Sequence, residues 1–195
     1  AMIELGTSTS NVELSMSAVY ANNRDLIDDD ANRYFFVRDG VEKPLDGGPD
    51  AGHPPLHPEH EERGRRDVPV GDAVLVESED VPADGERVWL KGFGCVRHAD
   101  DRFEYVGDDI TAVREEGVPV VHWAPAAGGV PVRLRTMDGD VTGVAEPDFG
   151  DVPVDEVVQF ERVGFSRVDS VARRDTGSRP SADGDDETVT YFAHE

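Results

Sequence analysis

The chain has 195 residues, of which 37% are hydrophobic, and its 42 acidic and 19 basic residues give a formal net charge of −23. Its single cysteine, Cys95, excludes an intrachain disulfide and a zinc finger built from cysteines. No apolar run approaches the ~20 residues that a transmembrane helix needs, so we expect a soluble, cytoplasmic protein that does not bind membranes.

The basic residues are almost all arginines, since Lys43 and Lys91 are the only lysines. The acidic residues are spread along the whole sequence and do not form one tail. A solvated, charged surface would account for the acidity alone. At molar salt, however, the screening length falls to ~3 Å, so repulsion among carboxylates costs little. The scarcity of lysine favours adaptation to high salt.

In chain order, helical spacing occurs once, over residues 11–27, where apolar side chains recur every three to four residues. From Arg33 onward, short apolar stretches are broken by Gly, Pro and Asp, which predicts an all-β fold of barrels or sandwiches. The predicted strands are Tyr34–Arg38, Ala73–Glu77, Arg87–Leu90, Val118–Trp123, Val130–Thr136, Val141–Ala145, Val157–Val168 and Thr188–His194.

Two segments are predicted to be irregular, residues 45–66 and 175–187. The first contains several histidines and a glutamate whose spacing resembles that of metal ligands. Prolines between these residues break any helical register, which disfavours a metal site. No phosphate-binding loop or nucleophile elbow is found, and Trp89 and Trp123 are predicted to lie in the core. The candidate metal ligands are His53, His57, Glu59 and His60.

The stretch VQFERVGFSRVDS, from Val158 to Ser170, alternates apolar and polar residues. Read as one strand, it predicts a buried face of Val158, Phe160, Val163 and Phe165. Planar hydrogen-bonding side chains lie between these residues, and such groups can bind the edges of unstacked RNA bases. Because no catalytic or phosphate-binding motif is found, the residues alone favour a binding module over a catalyst. The interleaved polar residues are Gln159, Glu161, Arg162 and Arg167.

Five stretches, in this order, resemble the C-terminal anticodon-binding region of class I glutamyl- and glutaminyl-tRNA synthetases. The resemblance covers nearly everything after residue 30, and the QFER motif together with the HW and PVRLR pair is its most specific part. The compact section before Val118 and the acidic composition are most similar to archaeal-type, haloarchaeal glutamyl enzymes. The stretches are ANRYFFVRD at 31–39, residues 57–80, VHWAPAAGGVPVRLRTMD at 121–138, GVAEPDF at 143–149 and the VQFER stretch.

The resemblance implies two β-barrels and a short N-terminal helical segment. Residues 31–86 and 148–195 would form a proximal barrel, and residues 87–147 an inserted distal barrel. Residues 1–30 would be the helical connector from a catalytic domain whose ATP-binding signatures this sequence lacks. We therefore expect a non-catalytic fragment of a glutamyl-tRNA synthetase, without catalytic residues, metal ligands or cofactor, while the full-length enzyme uses ATP and Mg²⁺.

The resemblance also implies which residues contact tRNA. Arg33 and Gln159 would hold the middle base of the anticodon, and Arg162 would lie at the same loop. Arg87 and Arg97 align with basic positions that contact neighbouring nucleotides. Glu161 is expected to be a structural partner of an arginine, because phosphate would repel it.

The expected partner is the tRNA that accepts glutamate, and the glutamine-accepting tRNA is an alternative. A glutaminyl-tRNA synthetase domain, which shares both barrels, is the nearest alternative assignment. An acidic β-barrel hydrolase using paired carboxylates would show turnover by this chain and no dependence on an anticodon. A protein-interaction module would ignore tRNA altogether.

Overall fold

A computed structural model describes residues 27–171 and 187–194. Residues 27–30 are helical, and contacts between Cα atoms separate Ala1–Asp30 from a second unit, Ala31–Glu195, to which all the described strands belong. The helix predicted over residues 11–27 and the irregular segment predicted over 175–187 lie outside the described residues, except for one terminal residue each.

The elements are mostly short strands, as the all-β prediction requires. Short 3₁₀ helices occur at Glu61–Arg63, Ser78–Asp80 and Pro147–Asp151. In chain order the other elements are β1 (Asn32–Tyr34), β2 (Phe36–Arg38), β3 (Gly40–Asp46), β4 (Ala51–Gly52), β5 (Val68–Pro69), β6 (Ala73–Glu77), β7 (Arg87–Leu90), β8 (Gly94–Ala99), β9 (Arg102–Gly107), α1 (Ile110–Glu115), β10 (Val120–Val121), β11 (Ala124–Pro125), β12 (Val130–Thr136), β13 (Gly139–Ala145), β14 (Val157–Phe160), β15 (Gly164–Ser170) and β16 (Thr188–His194).

The first sheet has seven strands in the order β1-β14-β15-β16-β12-β13-β2. Because β1 and β2 are consecutive in the chain but lie at opposite edges, the sheet is nearly closed into a barrel. Side chains alternate between its two faces, and the inner face forms one apolar core. Buried members of this core include Phe36, Leu134, Phe149, Val158 and Phe160.

The second sheet has seven strands in the order β10-β7-β8-β9-β3-β6-β11. Its core contains Phe35, Phe103 and the fully buried Trp123, whose indole nitrogen donates to the backbone oxygen of Lys91 at 3.0 Å. Trp89 packs in a smaller buried cluster with Cys95. Both tryptophans therefore lie in the core, as predicted.

Several strand predictions are confirmed residue for residue, namely those for β6, β7, β12 and β16. The predicted strand Tyr34–Arg38 is divided between β1 and β2, and only Val120–Val121 of the predicted Val118–Trp123 is extended. The strands β3, β8 and β9 were not predicted, and β3 enters the segment 45–66 that was predicted to be irregular.

The predicted single strand Val157–Val168 is instead a hairpin of β14 and β15. Val158 and Phe160 are buried in the core as predicted. The turn between the strands interrupts the period-2 alternation, and Phe165 pairs directly with Gln159 across the hairpin. Phe165 therefore shares the outer face with Gln159, although it is fully buried.

The strand pairing differs from the expected division into barrels. β12 and β13, expected in the distal barrel, pair with β16 and β2 in the first sheet. β3 and β6, expected in the proximal barrel, belong to the second sheet. The chain changes sheets at Asp39, which separates β2 from β3 and has a left-handed φ of 46°. Sequence order does not reveal such a change. From the pairing we infer one barrel from residues 32–38 with 130–171 and 187–194, and another from residues 40–125.

Folding is expected to depend on salt, because the net charge is −23. At 0.01 M salt the screening length grows to ~30 Å, and the carboxylates repel one another across the whole molecule. We expect partial unfolding on dialysis out of salt and recovery in molar potassium chloride, measured by circular dichroism. A melting temperature that does not change with salt would contradict the adaptation to high salt.

Candidate functional site

Arg33 and Gln159 lie side by side on the outer face of the first sheet. β1 and β14 run parallel, and Arg33 is the direct partner of Gln159. Because side chains alternate along a strand, the neighbouring Tyr34, Val158 and Phe160 enter the core while this pair points away from it. The fold thus brings together the two residues predicted to hold the middle anticodon base.

The amide oxygen of Gln159 is buried and has no hydrogen-bond partner among the described residues. Leaving a buried acceptor unpaired costs about 1–3 kcal/mol, and folded proteins keep few such groups. A planar ligand edge that carries an N–H donor would satisfy this oxygen. A carboxylate at the same position would add a charge and would have no donor to offer the ligand.

Backbone contacts fix β1 from both sides. The amide nitrogen of Arg33 donates to the backbone oxygen of Leu56 at 2.9 Å. On the other side, the backbone nitrogen of Glu161 donates to the oxygen of Tyr34 at 3.1 Å. The guanidinium of Arg66 donates to the backbone oxygen of Arg33. The backbone that carries Arg33 is therefore held by three separate segments of the chain.

A buried ionic cluster adjoins β1 and connects the two sheets. The side chains of Arg66 and Glu146 have no exposed surface, and their Nε and Oε1 atoms are 2.6 Å apart. Glu161 lies 4.0 Å from Arg66, and it also contacts Lys91 and, at 3.3 Å, His122. Glu161 thus has an arginine neighbour, as predicted, but its shorter contacts are with Lys91 and His122. Lys91 and His122 come from the second sheet's connections, whereas Glu161 lies in the β14–β15 turn.

The two buried carboxyls of this cluster have different pKa values. Burial raises the pKa of Glu161, but hydrogen bonds from His122 and Lys91 outweigh burial and hold the pKa at about 2. Burial raises the pKa of Glu146 to about 7 against the opposing effect of Arg66. The charge on Glu146 therefore depends on Arg66 more than on any other neighbour.

Arg162 occupies the turn between β14 and β15, with a left-handed φ of 65°. This conformation is uncommon for a residue with a side chain. The Arg162 guanidinium donates to Asp80 and lies 3.9 Å from Glu79, both in the 3₁₀ helix Ser78–Asp80. Arg162 thus lies near the end of the strand that carries Gln159 but is engaged by carboxylates of another segment.

Arg87 and Arg97 are direct partners on β7 and β8, so the fold brings these two predicted contacts together as well. Each is about half exposed and has a carboxylate partner: Arg87 contacts Glu116, and Arg97 donates through Nε to Glu104 at 3.2 Å. An open cleft of about 570 Å³ is lined by Asp80, Arg87 and Glu116, among others. The lining of the cleft thus includes Asp80, which is the partner of Arg162, and the Arg87–Glu116 pair.

The sequence did not predict the buried cluster that supports the site. Its members lie in turns and connections, where no periodic pattern distinguishes a buried charge from an exposed one. For Arg66, His122 and Glu146 the only signal was their position inside the family-like stretches that contain HPEHEERGRR, VHW and GVAEPDF, and Lys91 lies in none of these stretches. The missed residues are Arg66, Lys91, His122 and Glu146.

The histidines of the loop have other partners. His53 lies 2.7 Å from Asp67, and the backbone nitrogen of Glu59 donates to His57 at 3.2 Å. Across residues 27–171 and 187–194, no group of three or more His, Cys, Asp or Glu side chains is arranged to hold a metal ion. In the same ranges, no helix is long and apolar enough to cross a membrane.

Comparison with known proteins places this geometry in a family. Residues 31–115 and residues 120–169 match the two sequence profiles of the anticodon-binding domain of class I tRNA synthetases for glutamate and glutamine (E and Q). These two ranges include Arg33, Gln159, Arg162, Arg87 and Arg97.

Relatives with curated names agree with this match. The chain is 62% identical over its whole length to a glutamate–tRNA ligase of Haloarcula marismortui and 61% identical to one of Natronomonas pharaonis. A glutamate–tRNA ligase of Methanoculleus marisnigri is 37% identical over the whole chain. The chain spans about a third of the length of these relatives, 33%, 32% and 33% respectively. The chain therefore belongs to the anticodon-binding domain family of class I glutamyl- and glutaminyl-tRNA synthetases.

Proposed function

We propose that this chain recognises the anticodon loop of the glutamate-accepting tRNA for a glutamate–tRNA ligase. The observation that carries the proposal is the direct pairing of Arg33 with Gln159, whose amide oxygen is buried and lacks a partner among the described residues. The relatives named glutamate–tRNA ligase favour tRNA as the ligand over the substrate of an acidic hydrolase.

The chemistry of the pair suits the central uracil of the anticodon. The Gln159 amide presents one acceptor and one donor in a plane, which matches the N–H and adjacent oxygen of the uracil imide edge. The buried amide oxygen would accept from the uracil N–H, and Arg33 would donate to a base oxygen or phosphate. Cytosine has no hydrogen on the corresponding ring nitrogen, so with the amide in the same orientation its oxygen would stay unpaired. The pair should therefore prefer uracil.

The other three arginines would act by exchanging partners. Arg162, Arg87 and Arg97 each contact a carboxylate in the free protein. RNA would have to replace these carboxylates with phosphate or base oxygens. Exposed ion pairs are weak and are screened by salt. We propose that molar salt eases this exchange and that the carboxylates keep other polyanions away at low salt.

The acidic surface is compatible with an RNA ligand at high salt. Attraction between basic residues and phosphates depends on counterion release, which contributes less as the salt concentration rises. A basic face would therefore add little affinity in molar salt. Hydrogen bonds to bases and stacking, which do not depend on counterion release, would supply the affinity instead.

The chemistry of aminoacylation belongs, on this proposal, to the remaining two-thirds of such a ligase. That part would bind ATP and Mg²⁺ and attach glutamate, in the cytoplasm where translation takes place. The chain described here would hold the tRNA by its anticodon loop. The glutamine-accepting tRNA is a second candidate ligand, because it shares the central uracil and because the family includes both specificities.

The proposal is tested by binding and activity measurements on this chain in molar potassium chloride. We expect it to bind an RNA stem–loop with a glutamate anticodon and not a hairpin copied from the acceptor arm. We also expect no glutamate-dependent exchange of pyrophosphate into ATP. Equal binding of both hairpins, or exchange above background, would contradict the proposal.

A further inference from the structure

The outer face of the first sheet extends beyond the Arg33–Gln159 pair to a second group of side chains. Arg167, Tyr191 and Arg135 lie on the neighbouring strands β15, β16 and β12. Tyr191 is the direct partner of both arginines. All three side chains therefore point to the same face as Gln159, because Gln159 and Val157 share a face of β14 and Val157 pairs with Arg167.

Tyr191 is an exposed aromatic residue that contacts an arginine. The residue is 38% exposed, and no other Phe, Trp or Tyr among residues 27–171 and 187–194 is as exposed. The Arg135 guanidinium carbon lies 5.5 Å from the ring centroid, and its Nη1 donates to the tyrosine hydroxyl at 3.0 Å. The contact therefore places a guanidinium beside a partly exposed aromatic ring.

Arg135 differs from its neighbours in having no carboxylate partner among the described residues. Arg133, two positions away on the same face, contacts Glu187 at 2.8 Å and Asp140 at 3.5 Å. Arg167 contacts Asp155 at 2.8 Å. Asp140 is the direct partner of Arg135 on β13, yet its carboxylate lies against Arg133. In so acidic a chain, Arg135 can accept an anionic ligand without first losing a carboxylate.

Arg135 and Tyr191 lie close to the proposed base-reading pair, Arg33 and Gln159. Tyr191 is two strands away from Gln159 and one side-chain row further along the strands. With strands ~4.8 Å apart and ~3.4 Å per residue, the separation is roughly 12 Å. Stacked nucleotides rise ~3.4 Å each, so this is a distance of three to four nucleotides. One RNA loop can therefore reach both places.

We propose that Arg135 and Tyr191 form a stacking platform for a nucleotide of the tRNA anticodon stem–loop that lies outside the anticodon triplet. This inference rests on the proposed recognition of the anticodon loop. The base would stack on the exposed face of the ring and guanidinium, and the charge of Arg135 would attract the adjacent phosphate. Stacking uses the π-face that all bases share, so the platform adds affinity without reading sequence.

The test uses the anticodon stem–loop RNA in molar potassium chloride with variants of the platform. Tyr191→Leu should weaken binding about 5- to 150-fold, the range for the loss of one base–aromatic stack. Tyr191→Phe keeps the ring and should bind like wild type. Arg135→Gln should weaken binding about 2- to 30-fold, whereas the matched change Arg133→Gln, at an arginine already held by carboxylates, should have less than a twofold effect.

A second readout locates the contact on the RNA. With 2-aminopurine placed singly at each loop position outside the triplet, wild-type protein should quench the fluorescence at one of them, and Tyr191→Leu should abolish that quenching. The preference for a central U should be unchanged in Tyr191→Leu. Wild-type affinity in Tyr191→Leu, or quenching that survives the change, would overturn the platform while leaving anticodon recognition intact. If the wild-type protein does not bind the stem–loop, the proposed function itself fails.

Discussion

Replacement of Arg66 by methionine is expected to lower the free energy of unfolding by about 3–5 kcal/mol, the usual cost of removing one partner from a buried ion pair. Methionine retains much of the side-chain volume but leaves the carboxylate of Glu146, which has no exposed surface, without its partner at 2.6 Å. It also removes the donor to the backbone oxygen of Arg33. Denaturant unfolding in molar potassium chloride measures the effect.

Two controls separate the loss of the pair from the loss of a positive charge. Arg65→Met removes the charge of the adjacent, exposed residue, and it should change stability by less than about 0.5 kcal/mol. The double variant Arg66→Met with Glu146→Leu removes both charges and should recover part of the lost stability, because an apolar pair can replace a buried ion pair. Recovery should be incomplete, since the backbone oxygen of Arg33 and the backbone nitrogen of Phe35 lose their side-chain partners. If Arg66→Met is as stable as Arg65→Met, the cluster does not hold the two sheets together.

The same cluster links stability to recognition. Arg66 supports the backbone of Arg33, and Glu161 supports that of Tyr34 in the same strand. Glu161 in turn is held by Lys91 and His122 from the second sheet's connections. The position of β1 beside β14 thus depends on both sheets. Lys91, one of the two lysines of the chain, is therefore part of this connection.

Strands with regular alternation were predictable from the sequence, and others were not. The segments AVLVE and VPVRLRT show local period-2 patterns of β-branched residues, and β6 and β12 have the predicted bounds. β3, GVEKPLD, buries Lys43, whose ammonium contacts Asp101. A buried lysine and an internal proline conceal the alternation, so the strand is recognised only from its distant partners.

Some features of the candidate site were also predictable from the sequence, and others were not. The resemblance to the synthetase family implied that Gln159 and Arg33 act together, and the parallel pairing of β14 with β1 places them side by side. No local pattern could show that Phe165 would lie on the outer face beside Gln159, because the hairpin turn changes the alternation. The buried pair of Arg66 and Glu146 was missed because only tertiary packing buries these charges.

Replacement of Gln159 by alanine is expected to weaken binding of the anticodon stem–loop by about 5- to 150-fold, or ~1–3 kcal/mol, by analogy with the loss of a paired contact to a base edge in duplex DNA. Glutamate and glutamine anticodons share the central U and differ in the third base, so both RNAs should lose affinity to a similar extent. The loss should persist in molar salt, since hydrogen bonds to a base do not depend on counterion release. Fluorescence anisotropy with labelled stem–loops measures it.

An exposed arginine of the loop provides the contrasting control. Arg65 donates to the backbone oxygen of His53 at 2.8 Å and has an exposed side chain. A contact between such an exposed arginine and an RNA phosphate would contribute little to the affinity in molar salt. Arg65→Ala should therefore bind both stem–loops with nearly wild-type affinity, and it should keep the preference for the central U.

The most direct measurement of base reading compares two stem–loops that differ only in the central anticodon base, U or C, bound by wild type and by Gln159→Ala in molar potassium chloride. Wild type should bind the U form more tightly, and Gln159→Ala should bind both forms with similar, weaker affinity. If Gln159→Ala keeps wild-type affinity and the preference for U, while Arg65→Ala abolishes binding, the pair on β1 and β14 does not read the anticodon.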